Sequence, residues 1–401
     1  MIRNGCDRLL DEAGALAGKR WALLGHGATV TTTATTTSDL RPLHLALAES
    51  AAGRPAALFG PEHGYYGVEQ DMVASADEND PWTGAPVLSL YGDDEASLRP
   101  NPDAFNGLDV LLIDLQDVGS RYYTYAATAV WAAEAALAAG CEVQVLDRPN
   151  PLGGEVVEGG ILQTGFESFV GAFHMPVRHG LTLAEIVRHE LGEPAGLSFR
   201  TMEGWHRGMT WEETGQTWIA PSPNMPTLAT ARIYPGGCLI EATALSEGRG
   251  TTRPFHLVGD PALEDPPALA ADLTARIPGA TFLPTYFKPQ FQKHAGQVCG
   301  GVEIVVTDRQ LFKPYRAGCE LIAAFMRQMP ESFGWREAPY EFVADIPAID
   351  LLTGSADFRN LLSTSQNSPE ESSLNDLFSS WDAEAEAFRQ QRREVLLYPE
   401  G

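Results

Sequence analysis

Residues 109–146 read DVLLIDLQDVGSRYYTYAATAVWAAEAALAAGCEVQVL, and this stretch decides the fold. Asp109–Leu115 is an apolar run of strand length, as a strand buried on both faces requires. The Ala-rich Thr124–Ala139 has helical composition and stops at Gly140, a residue suited to the position just past a helix end. Glu142–Leu146 is a second strand-length run. Strand, helix and strand in succession make a parallel βαβ unit. Working outward, Trp21–Leu24, Ala56–Phe59 and Val87–Leu90 are runs of the same kind, and helix-like Leu43–Ser50 and Asp93–Leu98 lie between them. The expected fold class is α/β, with a doubly wound parallel sheet.

After Asp147-Arg148-Pro149-Asn150-Pro151 the alternation lapses. A helix is expected at Leu181–Leu191, a strand at Leu197–Met202, and a long Pro/Gly-rich loop from about Trp218 to Pro267. A strand at Gly301–Thr307 and a helix at Pro314–Met329 follow, then a polar loop at Ser363–Ser373 and an amphipathic helix at Leu374–Leu396. This pattern predicts a sheet domain over residues 1–160 and a smaller α+β domain over 161–401 whose long loops close a cleft. The threonine-rich tract 29–39 reads as a loop after the first strand.

Composition narrows the partners. The chain has 401 residues, 53 acidic against 28 basic, for a formal charge of −25. Such a surface repels phosphate backbones, which excludes nucleic acid and anionic membranes. Only four basic residues are Lys, and the Arg majority suits bidentate grip on carboxylates. The five cysteines contain no C-x-x-C pair, so neither a disulfide framework nor a zinc knuckle is indicated. No apolar run has signal-peptide or membrane-span length, and the expectation is a soluble cytoplasmic protein.

Ligands of open α/β sheets bind beyond the carboxyl ends of the strands. Four such ends carry polar segments: Gly25-His26-Gly27, Gly60-Pro61-Glu62-His63-Gly64-Tyr65-Tyr66, Gln116-Asp117-Val118-Gly119-Ser120-Arg121-Tyr122-Tyr123, and the Asp147–Pro151 segment. GHGATV (25–30) puts Val30 where a dinucleotide fingerprint needs its third glycine, so no nucleotide cofactor is expected. Glu62 beside Tyr65 and Tyr66 suits sugar chemistry, because aromatic faces stack on pyranoses and desolvation favours a carboxylic acid. Asp117 reads either as a functional carboxylate or as the partner of Arg121 at the rim, and Asp114 as structural. Farther on, Pro221–Thr227 is a rigid polar loop, and Glu241, Glu247, Arg249 and Arg253 crowd a Gly/Thr-rich segment. They mark either a ligand site or an ion-pair cluster between domains. The histidines and aspartates show no metal-binding spacing, so no metal is expected. A metal hydrolase using His26, His63 and Asp117 is one alternative.

The segments FGPEHGYYG (59–67), DVLLIDLQDVGSRYYTY (109–125), VLDRPNPLGG (145–154), VEGGIL (157–162), PVRHGLT (176–182), PSPNMPT (221–227), YPGGCLIEAT (234–243), LSEGRGTTRPF (245–255) and GVEIVVTDR (301–309) occur in that order. Together they resemble the peptidoglycan exo-β-N-acetylmuramidase family, formerly a family of unknown function, over residues 20–400. The resemblance implies a Rossmann-like domain joined to a smaller one, with the active site between them and no nucleotide. It implies release of N-acetylmuramic acid from the non-reducing end of peptidoglycan fragments. By this likeness Glu62 is the candidate general acid, and Glu158, Asp117, Glu241 and Glu247 compete for the second carboxyl role. Arg121, Arg249 and Arg253 are candidate clamps for the lactyl carboxylate, and Tyr122, Tyr123 and Asn224 candidate ring contacts. Gly25-His26 stands where the family commonly has Thr-Asn, which makes His26 a candidate sugar contact. The expected substrate is a small soluble muropeptide or disaccharide, and a non-catalytic muropeptide-binding protein is the other alternative.

Overall fold

A computed structural model describes residues 2–32, 40–68, 78–90, 95–364 and 371–400. Most of the threonine tract, the start of Asp93–Leu98 and the middle of Ser363–Ser373 lie outside the described residues.

The main sheet begins with β1 (Trp21–Leu24), β2 (Ala57–Gly60), β3 (Glu78–Asn79), β4 (Pro86–Ser89), β5 (Val110–Ile113) and β6 (Glu142–Leu146). A two-stranded antiparallel pair, β7 (Glu158–Ile161) with β8 (Pro176–Arg178), intervenes before β9 (Leu197–Arg200) joins the sheet. The spatial order is β3-β4-β2-β1-β5-β6-β9, with β3 antiparallel to β4 and the other pairs parallel. Successive residues of a strand face opposite sides. Trp21, Leu23, Val110 and Leu112 therefore share a core with Leu9, Leu43 and Leu47 of the helices Gly5–Asp11 and Leu43–Ala48. Ala22, Leu24, Leu111 and Ile113 face the other way, into the core of the helices Tyr125–Ala138 and Leu183–Leu191. Both faces are covered, which is why these strands read as unbroken apolar runs.

The sheet does not stop at residue 160, where the sequence placed a boundary. Leu183–Leu191 is the crossover helix from β6 to β9, and Val143 pairs with Leu197 across the last strand pair. A smaller antiparallel sheet, β10 (Leu257–Asp260), β12 (Cys299–Val306) and β11 (Ala280–Phe287) in that order, follows. It packs with helices Leu228–Gly237, Pro266–Arg276 and Pro314–Gln328. The Pro/Gly-rich stretch is thus not one long loop: it holds a helix, the 3-10 turn Cys238–Ala242 and β10. The terminal helix, Glu371–Gln391, lies against β7, with the Trp381 indole over Gly160.

Candidate active site

The chain runs outward from β1 to β2 and β4, then returns to the other flank of β1 as β5. That reversal opens a crevice at the strand carboxyl ends, where α/β proteins bind ligands. Glu62 stands two residues past β2. A Cβ on Gly60 would lie 2.3 Å from the Tyr65 amide nitrogen, so only glycine lets the loop fold back this closely. His63 takes a left-handed backbone, φ 72°, and strain of this kind in a non-glycine residue clusters at functional sites. The Thr124 hydroxyl donates to Glu62 Oε2 at 2.6 Å, and His63 Nε2 stands 4.0 Å from Glu62 Oε1. Tyr125 donates to the Pro221 carbonyl at 2.8 Å, which draws the polar loop over the crevice.

The opposite wall is the late loop. Arg249 Nη2 donates to Glu241 Oε1 at 2.6 Å, and the Tyr340 hydroxyl donates to Glu241 Oε2 at 2.9 Å. Behind them Lys293 pairs with Glu247 at 3.0 Å and bonds the carbonyls of Ile240, Glu241 and Leu245. Burial raises the Glu247 carboxyl, but Lys293 and Arg249 outweigh it and hold it below the ordinary carboxylate range. The Arg249 guanidinium also lies 5.5 Å over the Phe255 ring.

Seven of the expected residues therefore line one pocket: Glu62, His63, Tyr122, Tyr123, Asn224, Glu241 and Arg249. Glu247 supports it from behind Arg249. Thr124, Ser222, Tyr234, Tyr340 and Glu341 line it as well and were not picked out in the sequence. Ser222 sits inside the polar loop already noted. Nothing in the local sequence marks Tyr340 or Glu341.

The remaining candidates lie elsewhere. Arg121 is no clamp and does not pair with Asp117: its buried guanidinium donates to the carbonyls of Gly160, Met175 and Leu352. Arg253 pairs with Glu303 on β12 at 2.5 Å. Glu158 is buried beneath the start of Pro314–Gln328, accepting from the Arg316 amide at 2.9 Å. Tyr65 turns into the core and bonds His44 at 3.0 Å. His26 is buried with its ring nitrogens on the amides of Ala28 and Gln116, at 2.9 and 2.8 Å, and burial lowers it to about 3. It is a neutral structural group. Asp117 accepts from the Gly119 amide at 2.6 Å and stands 3.7 Å from His179, outside the pocket lining. Asp114 is structural, paired with Arg148 at 2.8 Å. Among the described residues no three His, Cys, Asp or Glu side chains gather as a metal-holding group. His26, His63 and Asp117 each have separate surroundings.

The fold is a doubly wound α/β sheet whose switch-point crevice, among the described residues, holds carboxyls, hydroxyls and one guanidinium, a set of groups that suits a glycosidase. Sequence comparison gives the family. Models described as "Exo-beta-N-acetylmuramidase NamZ", N-terminal and C-terminal, match residues 28–229 and 232–398, and the chain belongs to that family. It is 36% identical over 401 residues to the peptidoglycan beta-N-acetylmuramidase NamZ of Bacillus subtilis, covering 99% of this chain and 91% of that one. A crystal structure of a DUF1343 family protein from Bacteroides fragilis superposes with TM-score 0.81 at 29% identity, covering 99% of both chains. A second one from the same organism, 23% identical with TM-score 0.71 over all of both chains, shares the fold.

Proposed function

We propose that this chain is an exo-acting β-N-acetylmuramidase that takes N-acetylmuramic acid from the non-reducing end of small soluble peptidoglycan fragments. The observation that carries the reading is Glu62, a carboxyl on a strained loop, seated on the Thr124 hydroxyl and facing the late-loop wall. Glycosidases work through carboxyls flanking the scissile bond, and Glu62 serves as a catalytic carboxyl here. Among the described residues Arg249 is the one guanidinium that lines the pocket, and it takes the lactyl carboxylate in the planar geometry Arg favours. Tyr122, Tyr123 and Asn224 bound the sugar ring, and His63 stands beside the reacting carboxyl. Glu241 and Glu247 hold Arg249 in place.

The test is release of free sugar from a chromogenic N-acetylmuramide. Wild-type protein turns it over, and Glu62→Gln loses about 10²-fold or more. A variant keeping more than about a tenth of the activity removes the role given to Glu62. Saturable binding by wild type with no product favours the binding-protein alternative instead.

A further inference from the structure

Glu341 sits in a two-residue turn between Tyr340 and Val343, whose backbones bond each other in both directions at 2.9 Å. Both central residues are left-handed, Glu341 at φ 48° and Phe342 at φ 67°. Turns of this type ordinarily carry Asn-Gly or similar pairs, and here neither residue is glycine. The turn is fixed from below by Tyr340, whose hydroxyl bonds Glu241 and whose ring lies 5.3 Å from the Arg336 guanidinium. It delivers the Glu341 carboxyl into the pocket, and Glu341 Oε2 is buried there with no hydrogen-bond partner. Both oxygens of Glu241 are engaged by Arg249 and Tyr340, and Glu62 accepts from Thr124.

A second hollow, of about 440 Å³, adjoins the pocket. Its wall includes Trp131 and Phe169, stacked at 5.8 Å, with the Arg99 guanidinium 4.5 Å over the Trp131 ring. Among the described residues Glu341 is the one that lines both spaces. An exo-glycosidase cuts where the compartment for the terminal sugar meets the path of the leaving group, and the proton donor must reach the oxygen at that junction.

We propose that Glu341 is a catalytic residue, the donor of the proton taken by the glycosidic oxygen, with the adjoining Trp131–Phe169 hollow receiving the leaving sugar. The proposal rests on the muramidase reading above and moves the proton-donor role expected for Glu62 to Glu341. As the bond between C1 and the glycosidic oxygen breaks, its electron pair stays on that oxygen, which takes the proton of Glu341. A water then adds its oxygen to C1 and returns one proton to the Glu62–Glu341 pair, which ends as it began. The electrostatics agree. Burial, then the charges of Glu62 and Glu241, push the Glu341 carboxyl up to about 8, while Arg249 and Arg336 act the other way. His63 also lines the pocket, and Arg99 and Glu167 line the hollow. Glu341 thus holds a proton at neutral pH.

The experiment compares two substrates. A nitrophenyl N-acetylmuramide has a leaving group that departs without protonation; a muramyl–glucosamine disaccharide needs it. Glu341→Gln loses about 10²-fold or more in kcat on the disaccharide and less than about 10-fold on the nitrophenyl glycoside. Glu62→Gln loses activity on both. A matched circular dichroism spectrum and melting curve establish that Glu341→Gln is folded. Equal losses on the two substrates, or no loss on either, overturn the assignment. Wild-type protein inactive on both would instead overturn the muramidase reading beneath it.

Discussion

Asp117 is buried at the rim, with one carboxyl oxygen on the Gly119 amide and the other without a hydrogen-bond partner. Burial pushes it up to about 7, against the amides of Gly119 and Val118 that pull it down. An acid whose native pKa lies above its unfolded value binds the proton more tightly when folded. Between about pH 4 and pH 7 the native chain keeps this proton and the unfolded chain sheds it, so the group's contribution to stability falls as pH rises. The ceiling on that loss is about 4 kcal/mol, at roughly 1.4 kcal/mol per pKa unit. Asp117→Asn keeps an acceptor for Gly119 and cannot ionise. Its stability relative to wild type, from denaturant unfolding, should climb from pH 4 to 7 and level off by about pH 8; a constant difference across that range refutes the account. The same residue shows why single sites are hard to read from sequence. The rim position of Asp117 and Arg121 was legible from strand-end topology, but whether a side chain meets a ligand or a carbonyl is set by residues distant in sequence. Arg121 meets carbonyls from three separate segments. Glu341 enters on a turn with no glycine and no motif to announce it.

Among the elements, the buried parallel strands were the most legible, because a strand covered on both faces leaves an apolar run that nothing polar interrupts. The helix Leu228–Gly237 was illegible for an equally physical reason. Pro235, Gly236 and Gly237 look like loop punctuation, yet they are where this helix meets Pro314–Gln328 backbone to backbone. A Cβ on Gly236 would fall 1.9 Å from the Pro314 carbonyl oxygen, and one on Gly318 would fall 2.4 Å from the Gly236 carbonyl oxygen. The glycines therefore set the helix separation, and through it the position of the pocket: Tyr234 is on this helix and Glu241 on the turn that continues it. Overpacking at a backbone contact cannot be relieved by a rotamer change, and costs roughly 1–3 kcal/mol or more. Gly236→Ala should lower the unfolding free energy by at least that amount and reduce muramide turnover together. Unchanged stability in a denaturant titration refutes the contact.

At the scale of the whole molecule the end of the chain returns to its first sheet. Tyr398 donates to Asp147 just past β6 at 2.6 Å, Leu397 N donates to Glu185 at 2.9 Å, and Arg392 bonds the carbonyls of Gly154 and His179. The pocket likewise needs both halves, with Glu62 and Thr124 from the sheet domain and Glu241, Arg249 and Glu341 from the rest. Around this assembly the chain carries −25. Coulomb repulsion with that sign and size acts over a screening length of about 8 Å at physiological salt and about 30 Å at 0.01 M. An intact cell wall is an extended polyanion, whereas a released disaccharide bears a single carboxylate, the group proposed above for Arg249. Steering by net charge changes association rates, and changes them most for the more highly charged partner. Raising salt from about 10 to about 150 mM should therefore increase kcat/KM several-fold on wall fragments of growing length, and leave the disaccharide nearly unaffected. The measurement is sugar release from size-fractionated glycan strands at fixed pH across that salt series. A salt response equal for the disaccharide and the longest strands would show that the acidic surface plays no part in choosing small fragments.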